Sequence, residues 1–165
     1  MSKFPRAGFF RRLASLVYDG LVVIAFAMLS IALYLFAIEA CIAFGWLSLN
    51  GFKEISILIQ DTPLLYTLRL ILIVGVSVLF FGYFWSRSGQ TIGMRAWRIQ
   101  VQTLDGQLPS FTQASLRSLC SLLGLGNLVV LVDFKHQRAL QDWLTGTQVV
   151  VLSKEENRRV YQSLD

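Results

Sequence analysis

Residues Arg12 to Glu39 read RLASLVYDGLVVIAFAMLSIALYLFAIE, and Asp19 is the only charge among the 26 residues between the two ends. As a helix at about 1.5 Å per residue this stretch is roughly 40 Å long. That length covers a hydrocarbon core of about 30 Å and part of both interfaces, so the stretch predicts a spanning helix from about residue 13 to 44. A carboxylate inside such a helix costs on the order of 2–4 kcal/mol unless a partner or water offsets it. Asp19 is therefore either a functional acid or a charge that locks packing, and the run itself favours neither.

Lys3, Arg6, Arg11 and Arg12 precede the run without an acid, which orients the N-terminus to the cytoplasm. The run is too long for the apolar core of a cleaved signal, and Glu39 stands where a cleavage site would be, so it reads as an uncleaved anchor. The chain of 165 residues is 55% hydrophobic and 15% charged, with a mean hydropathy of +0.57. Together these describe a mainly α integral membrane protein. Its net charge of +5 comes from Lys and Arg beside apolar runs, an arrangement that fixes membrane orientation and argues against a nucleic-acid partner. Cys41 and Cys120 form neither a disulfide framework nor a metal spacing, and read as small buried hydrophobes.

Outward from the first run, residues 46–61 form a loop on the outer side, with Trp46 at the interface. Asp61-Thr62-Pro63 is a helix start, and a second span follows from about 63 to 86 with Arg69 as its only charge. Gly75, Gly82 and Ser86 form a seam of small residues on which another helix can pack. Residues 87–117 carry four arginines against Asp105 and should be cytoplasmic. Within them, residues 98–111 predict a small β-hairpin: Arg98 to Thr103 alternates, Asp105-Gly106 turns, and Leu108 to Phe111 returns.

The third apolar stretch is short. Only 15 residues separate Arg117 from Asp133, and Gly124-Leu-Gly126-Asn127 interrupts them. Residues 147–152 are β-branched and need a strand partner, for which the hairpin is the natural choice. Residues 111–145 then form a broken, re-entrant segment, and both chain ends are cytoplasmic. A straight third crossing with the C-terminus outside is the alternative. The expectation is two full transmembrane helices, a third broken segment, the hairpin and a C-terminal strand, forming one domain over residues 1–152. A polar, solvated tail covers 153–165.

Arg12 and Asp19 lie seven residues apart and share a helix face at about 10 Å axial separation. A further group fits between them, and Asp142 is a candidate if its segment folds back. These residues resemble the RDD family of small bacterial membrane proteins. Arg12-Leu-Ala-Ser-Leu-Val-Tyr-Asp19 matches the family's opening arginine and first aspartate. Gly89-Gln-Thr-Ile-Gly93 resembles its glycine-threonine-glycine stretch, Arg117 a frequent arginine, and Gln137 to Thr147 its closing motif with Asp142 as second aspartate. Met94 and Gln141 depart from the family's usual lysine and histidine. The resemblance covers about residues 8–152 and implies a bacterial inner-membrane location and transport of an unidentified solute or ion.

Arg12, Asp19 and Asp142 are thus the candidate binding residues, with Gln90, Thr91, Arg117 and Arg138 in support. Glu39 and Arg69 are a candidate outer pair. The lone His136 has no companions at ligand spacing, so no metal or cofactor is expected. Neither a hydrolase triad nor a paired-acid arrangement is present, which argues against an enzyme. Two functions fit. In one, the Arg/Asp/Asp cluster is an inner-facing ion or solute site of a transport protein, which requires a homo-oligomer or partner chains around it. In the other, the cluster is a charge lock in a non-transporting accessory or scaffold protein that contacts anionic lipid or a partner.

Overall fold

The computed structural model describes residues 4–49, 51–131, 133 and 137–162. Two helices are long and apolar enough to cross a membrane: α1 (Phe9–Ala43) and α3 (Pro63–Ser88). The chain divides into two compact units, residues 23–77 and residues 1–22 with 78–165.

The first unit contains the C-terminal part of α1, the short helix α2 (Ile55–Asp61) and the beginning of α3. Two residues past the end of α1, Gly45, with a φ of 74°, lets the Trp46 and Leu47 amides turn back onto the Cys41 carbonyl. Ile38, Leu58, Ile59 and Leu65 form its core, with Tyr34, Ile42 and Phe52 packed against them. The Tyr34 hydroxyl donates to the Leu65 carbonyl at 2.8 Å. At the α2–α3 corner the Thr62 amide closes α2 on Leu58, and the Thr62 carbonyl accepts the Tyr66 amide. Pro63 then opens α3, where its missing N–H costs nothing. Large side chains such as Leu33 and Phe36 point outward, as lipid contact requires.

The second unit holds the rest. β1 (Ile99–Thr103) pairs antiparallel with β2 (Thr147–Val151) in the register Ile99 to Val151 and Thr103 to Thr147. The N-terminal segment lies along the other edge of β2: the Ala7 amide donates to the Val149 carbonyl, and the Val151 amide to the Pro5 carbonyl, each at 2.8 Å. Ala7, Trp85, Met94, Ile99, Val101, Ala114 and Val149 close the core beneath. The sheet's second strand is therefore β2, and the expected return of Leu108 to Phe111 does not form. The turn is still there, with the Gly106 amide on the Thr103 carbonyl and the Thr103 amide on that of Gln107. After it, Ser110 caps helix α5 (Phe111–Cys120) by accepting the Gln113 amide at 3.2 Å. The N-cap diverts the chain, and β2 with its run of valines takes the free edge of β1.

α5 is followed by a 3-10 stretch, Leu122–Leu131, whose Gly124–Leu131 part is bent 76° from α5. The break lies between Cys120 and Gly124, just ahead of the Gly124-Leu-Gly126-Asn127 stretch at which the sequence places it. Helix α6 (Leu140–Thr145) brings the chain back, and Gln113 Nε2 donates to the Thr145 carbonyl at 2.7 Å. The segment thus ends beside the sheet from which it left. Leu116, Leu119, Leu125, Trp143 and Leu144 are exposed along it.

Three boundaries differ from expectation. α1 begins four residues earlier, at Phe9, because Arg11 and Arg12 need no unwound backbone to reach polar surroundings. α3 runs on to Ser88. The tail is helical, α7 (Lys154–Gln162), because the Asn157 side chain binds Gln90 and the Arg95 carbonyl. Cys41 and Cys120 are free and half-buried.

Candidate functional site

The site forms where the first turn of α1 meets the first turn of α6. Arg12 Nε donates to the Ala7 carbonyl at 3.0 Å, which holds the guanidinium across the start of its own helix. Its Nη2 reaches the Gln137 carbonyl at 3.0 Å and Asp142 Oδ2 at 2.8 Å. Arg117, from α5, meets Asp142 Oδ1 at 2.6 Å and also donates to the Thr147 hydroxyl. The Arg117 guanidinium lies over the Trp85 ring, 5.2 Å from its centroid. Asp142 Oδ2 accepts the Ala139 amide at 3.0 Å, so the carboxylate caps α6 as well. All three side chains are buried.

Asp142 lies outside the spanning helices. Burial pushes its carboxyl up, but the guanidinia of Arg117 and Arg12, with the hydrogen bonds from Arg12 and Ala139, win and hold it below the usual carboxylate range. Two guanidinia against one carboxylate leave an excess positive charge in this cluster.

Asp19 is buried too, but its ligands are different. Its Oδ1 accepts the Gly93 amide at 2.8 Å, and its Oδ2 accepts the Thr91 hydroxyl at 2.5 Å. Thr91 in turn caps α4 (Ile92–Ala96) by accepting the Met94 amide at 3.2 Å. The acid therefore ties α1 to the start of a short helix. Gly93 makes the approach possible: a Cβ there would lie 3.0 Å from Asp19 Cγ, 2.9 Å from Tyr18 Cβ, and against the Ser15 carbonyl.

The structure brings Arg12 and Asp142 together and makes Arg117 an equal partner. Among the described residues neither arginine forms an ion pair with Asp19. Gln90 is buried beside Thr91, and its Nε2 donates to the Ile99 carbonyl at 2.8 Å and to Asn157 Oδ1 at 2.9 Å. Arg138 stands apart, stacked on Trp143 at 5.2 Å. Glu39 and Arg69 form no ion pair among the described residues, and Arg69 lies over the Tyr66 ring at 5.2 Å. His136 is outside the described residues, and among those described no group of three His, Cys, Asp or Glu side chains suits a metal.

Gly82 is the seam glycine with an observed neighbour. A Cβ there would lie 2.7 Å from Ser115 Oγ and 3.2 Å from the Phe111 ring, so it admits α5 of the same chain. Sequence reasoning missed Thr147, Asn157 and the pairing of Gln141 Nε2 with Asn127 Oδ1 at 2.9 Å. Only Thr147 carried a signal, as the residue after the glycine that ends α6.

The RDD family model matches residues 6–146. Comparison with curated proteins and with solved structures gave no match.

Proposed function

The chain belongs to the RDD family, and from that premise we propose that it is a non-enzymatic membrane protein whose arginine–aspartate motif is a structural clamp. In this reading α1 and α3 cross a bacterial inner membrane, the α5–α6 segment dips in and returns, and both chain ends are cytoplasmic. The clamp holds a sheet-bearing inner module that serves as an accessory platform for lipid or a partner protein.

One observation carries the reading: each buried aspartate has fixed partners from other parts of the chain. Asp142 has two guanidinia, and Asp19 has a hydroxyl and an amide. A relay acid must exchange partners during turnover. Stranding one member of a buried ion pair costs about 3–5 kcal/mol, which disfavours such exchange here. Reconstituted protein tests the reading. Asp19→Asn and Asp142→Asn should each lower the unfolding temperature, and liposomes carrying the wild type should pass ions no faster than empty ones. Flux that disappears in a fully folded Asp19→Asn protein would overturn it.

A second reading, ion or solute transport, has its own support. Arg12 Nη1 and Arg117 Nε are buried and lack hydrogen-bond partners among the described residues. With the excess positive charge they form a latent anion contact. Two spans enclose no pathway, so this reading requires several copies or a partner protein, and the same flux assay distinguishes it.

A further inference from the structure

A cavity of about 710 Å³ opens between α4 and α7, away from the clamp residues. Arg95, Lys154, Arg158 and Arg159 line it, against Glu155 as the one acid. Lys154, Arg158 and Arg159 are exposed. Arg159 meets Glu156 at 3.5 Å, an exposed pair that does little to neutralise it. The walls are fixed rather than frayed, because Asn157 accepts from Gln90 Nε2 at 2.9 Å and donates to the Arg95 carbonyl at 3.3 Å. Four cations around one concavity reinforce each other's field and favour an anion there.

Exposed apolar side chains adjoin the cavity. Exposed Ile92 lies on α4 and exposed Trp97 follows it. Arg11, at the start of α1, donates to the Trp97 carbonyl at 3.3 Å. An aromatic and an aliphatic side chain beside basic residues is the composition of a membrane interface. The volume exceeds that of a single inorganic ion and accommodates a phosphate together with its alcohol.

We propose that the α4–α7 cavity binds a phosphate-bearing anion, independently of the clamp. An anionic phospholipid headgroup and a soluble phosphate ester share this chemistry. The full-length protein in neutral detergent is titrated with fluorescent phosphatidylglycerol and, separately, with radiolabelled glycerol phosphate. At least one probe should bind. Arg158→Gln should weaken it about fivefold, and Lys154→Gln, Arg158→Gln and Arg159→Gln together on the order of a hundredfold. All these side chains are exposed, so the unfolding temperature should hold. Arg87→Gln removes an equal charge from the end of α3 and should leave binding unchanged. Binding of phosphatidylglycerol alone identifies a headgroup site, and binding of glycerol phosphate identifies a soluble ester. Failure of both probes, or an equal loss in Arg87→Gln, overturns the proposal.

Discussion

Arg12 Nη2 meets Asp142 Oδ2 at 2.8 Å, joining the beginning of the first helix to the beginning of the sixth. Arg117 completes the contact from α5, and each guanidinium also binds an oxygen outside the carboxylate. Asp142→Asn would leave two buried cations facing a neutral amide. The expected cost is about 3–5 kcal/mol. At about 2–4 °C per kcal/mol for a chain of this size, the unfolding temperature should fall by roughly 10 °C. Thermal unfolding in detergent, followed by circular dichroism, measures it.

Gly93 and Gly75 make a matched comparison. A Cβ at Gly93 meets Tyr18, Asp19 and the Ser15 carbonyl, whereas one at Gly75 meets nothing within 4 Å. Gly93→Ala should destabilise by about 1–3 kcal/mol through overpacking and should also weaken the Asp19 contacts. Gly75→Ala should be neutral or stabilising by up to about 1 kcal/mol, since alanine is the better helix former. Parallel melting curves of the two variants decide this.

The Asp142 carboxyl has a folded-state pKa below its ordinary value of about 3.9. Its contribution to stability is therefore fully present above that ordinary value. It is lost as pH falls further, through the folded-state pKa. Stability from this group should stay level from pH 8 to pH 5 and decline only below about pH 4. Asp142→Asn should show a shallower acid decline than the wild type when melting is recorded across that range.

Pro5 and Ala7 are hydrogen-bonded to β2, and β2 to β1, and the proposed topology puts this sheet on the cytoplasmic side. Epitope tags placed before Met1 and after Asp165 should both be labelled from the cytoplasmic side of inverted vesicles. Both should be protected in intact cells whose outer membrane is permeabilised.

The spanning helices were legible because apolar length is a local property, and Leu13 to Ile38 needs no knowledge of neighbours. The break in the third apolar stretch was legible to within a few residues, because glycine is also a local signal. The β1–β2 partnership followed from the need of residues 147–152 to pair. The hairpin return was misread at Leu108 to Phe111, where a short apolar run suits strand or helix and the Ser110 cap decides. Of the site, the Arg12–Asp142 contact was within reach through the fold-back of the Asp142 segment and through the motif. Asp19's partners were less visible, because Thr91 and the Gly93 amide are named by geometry rather than by charge. Asn157 lay beyond reading altogether: its link to Gln90 depends on how α7 docks.

A double-mutant cycle on Arg12 and Asp142 tests the clamp most directly, with stability measured in detergent for Arg12→Ala, Asp142→Asn and the pair. The clamp predicts a coupling energy of about 2 kcal/mol or more, with the double variant less destabilised than the sum of the singles. Additivity within about 0.5 kcal/mol would contradict it, because two residues that hold each other cannot be lost independently.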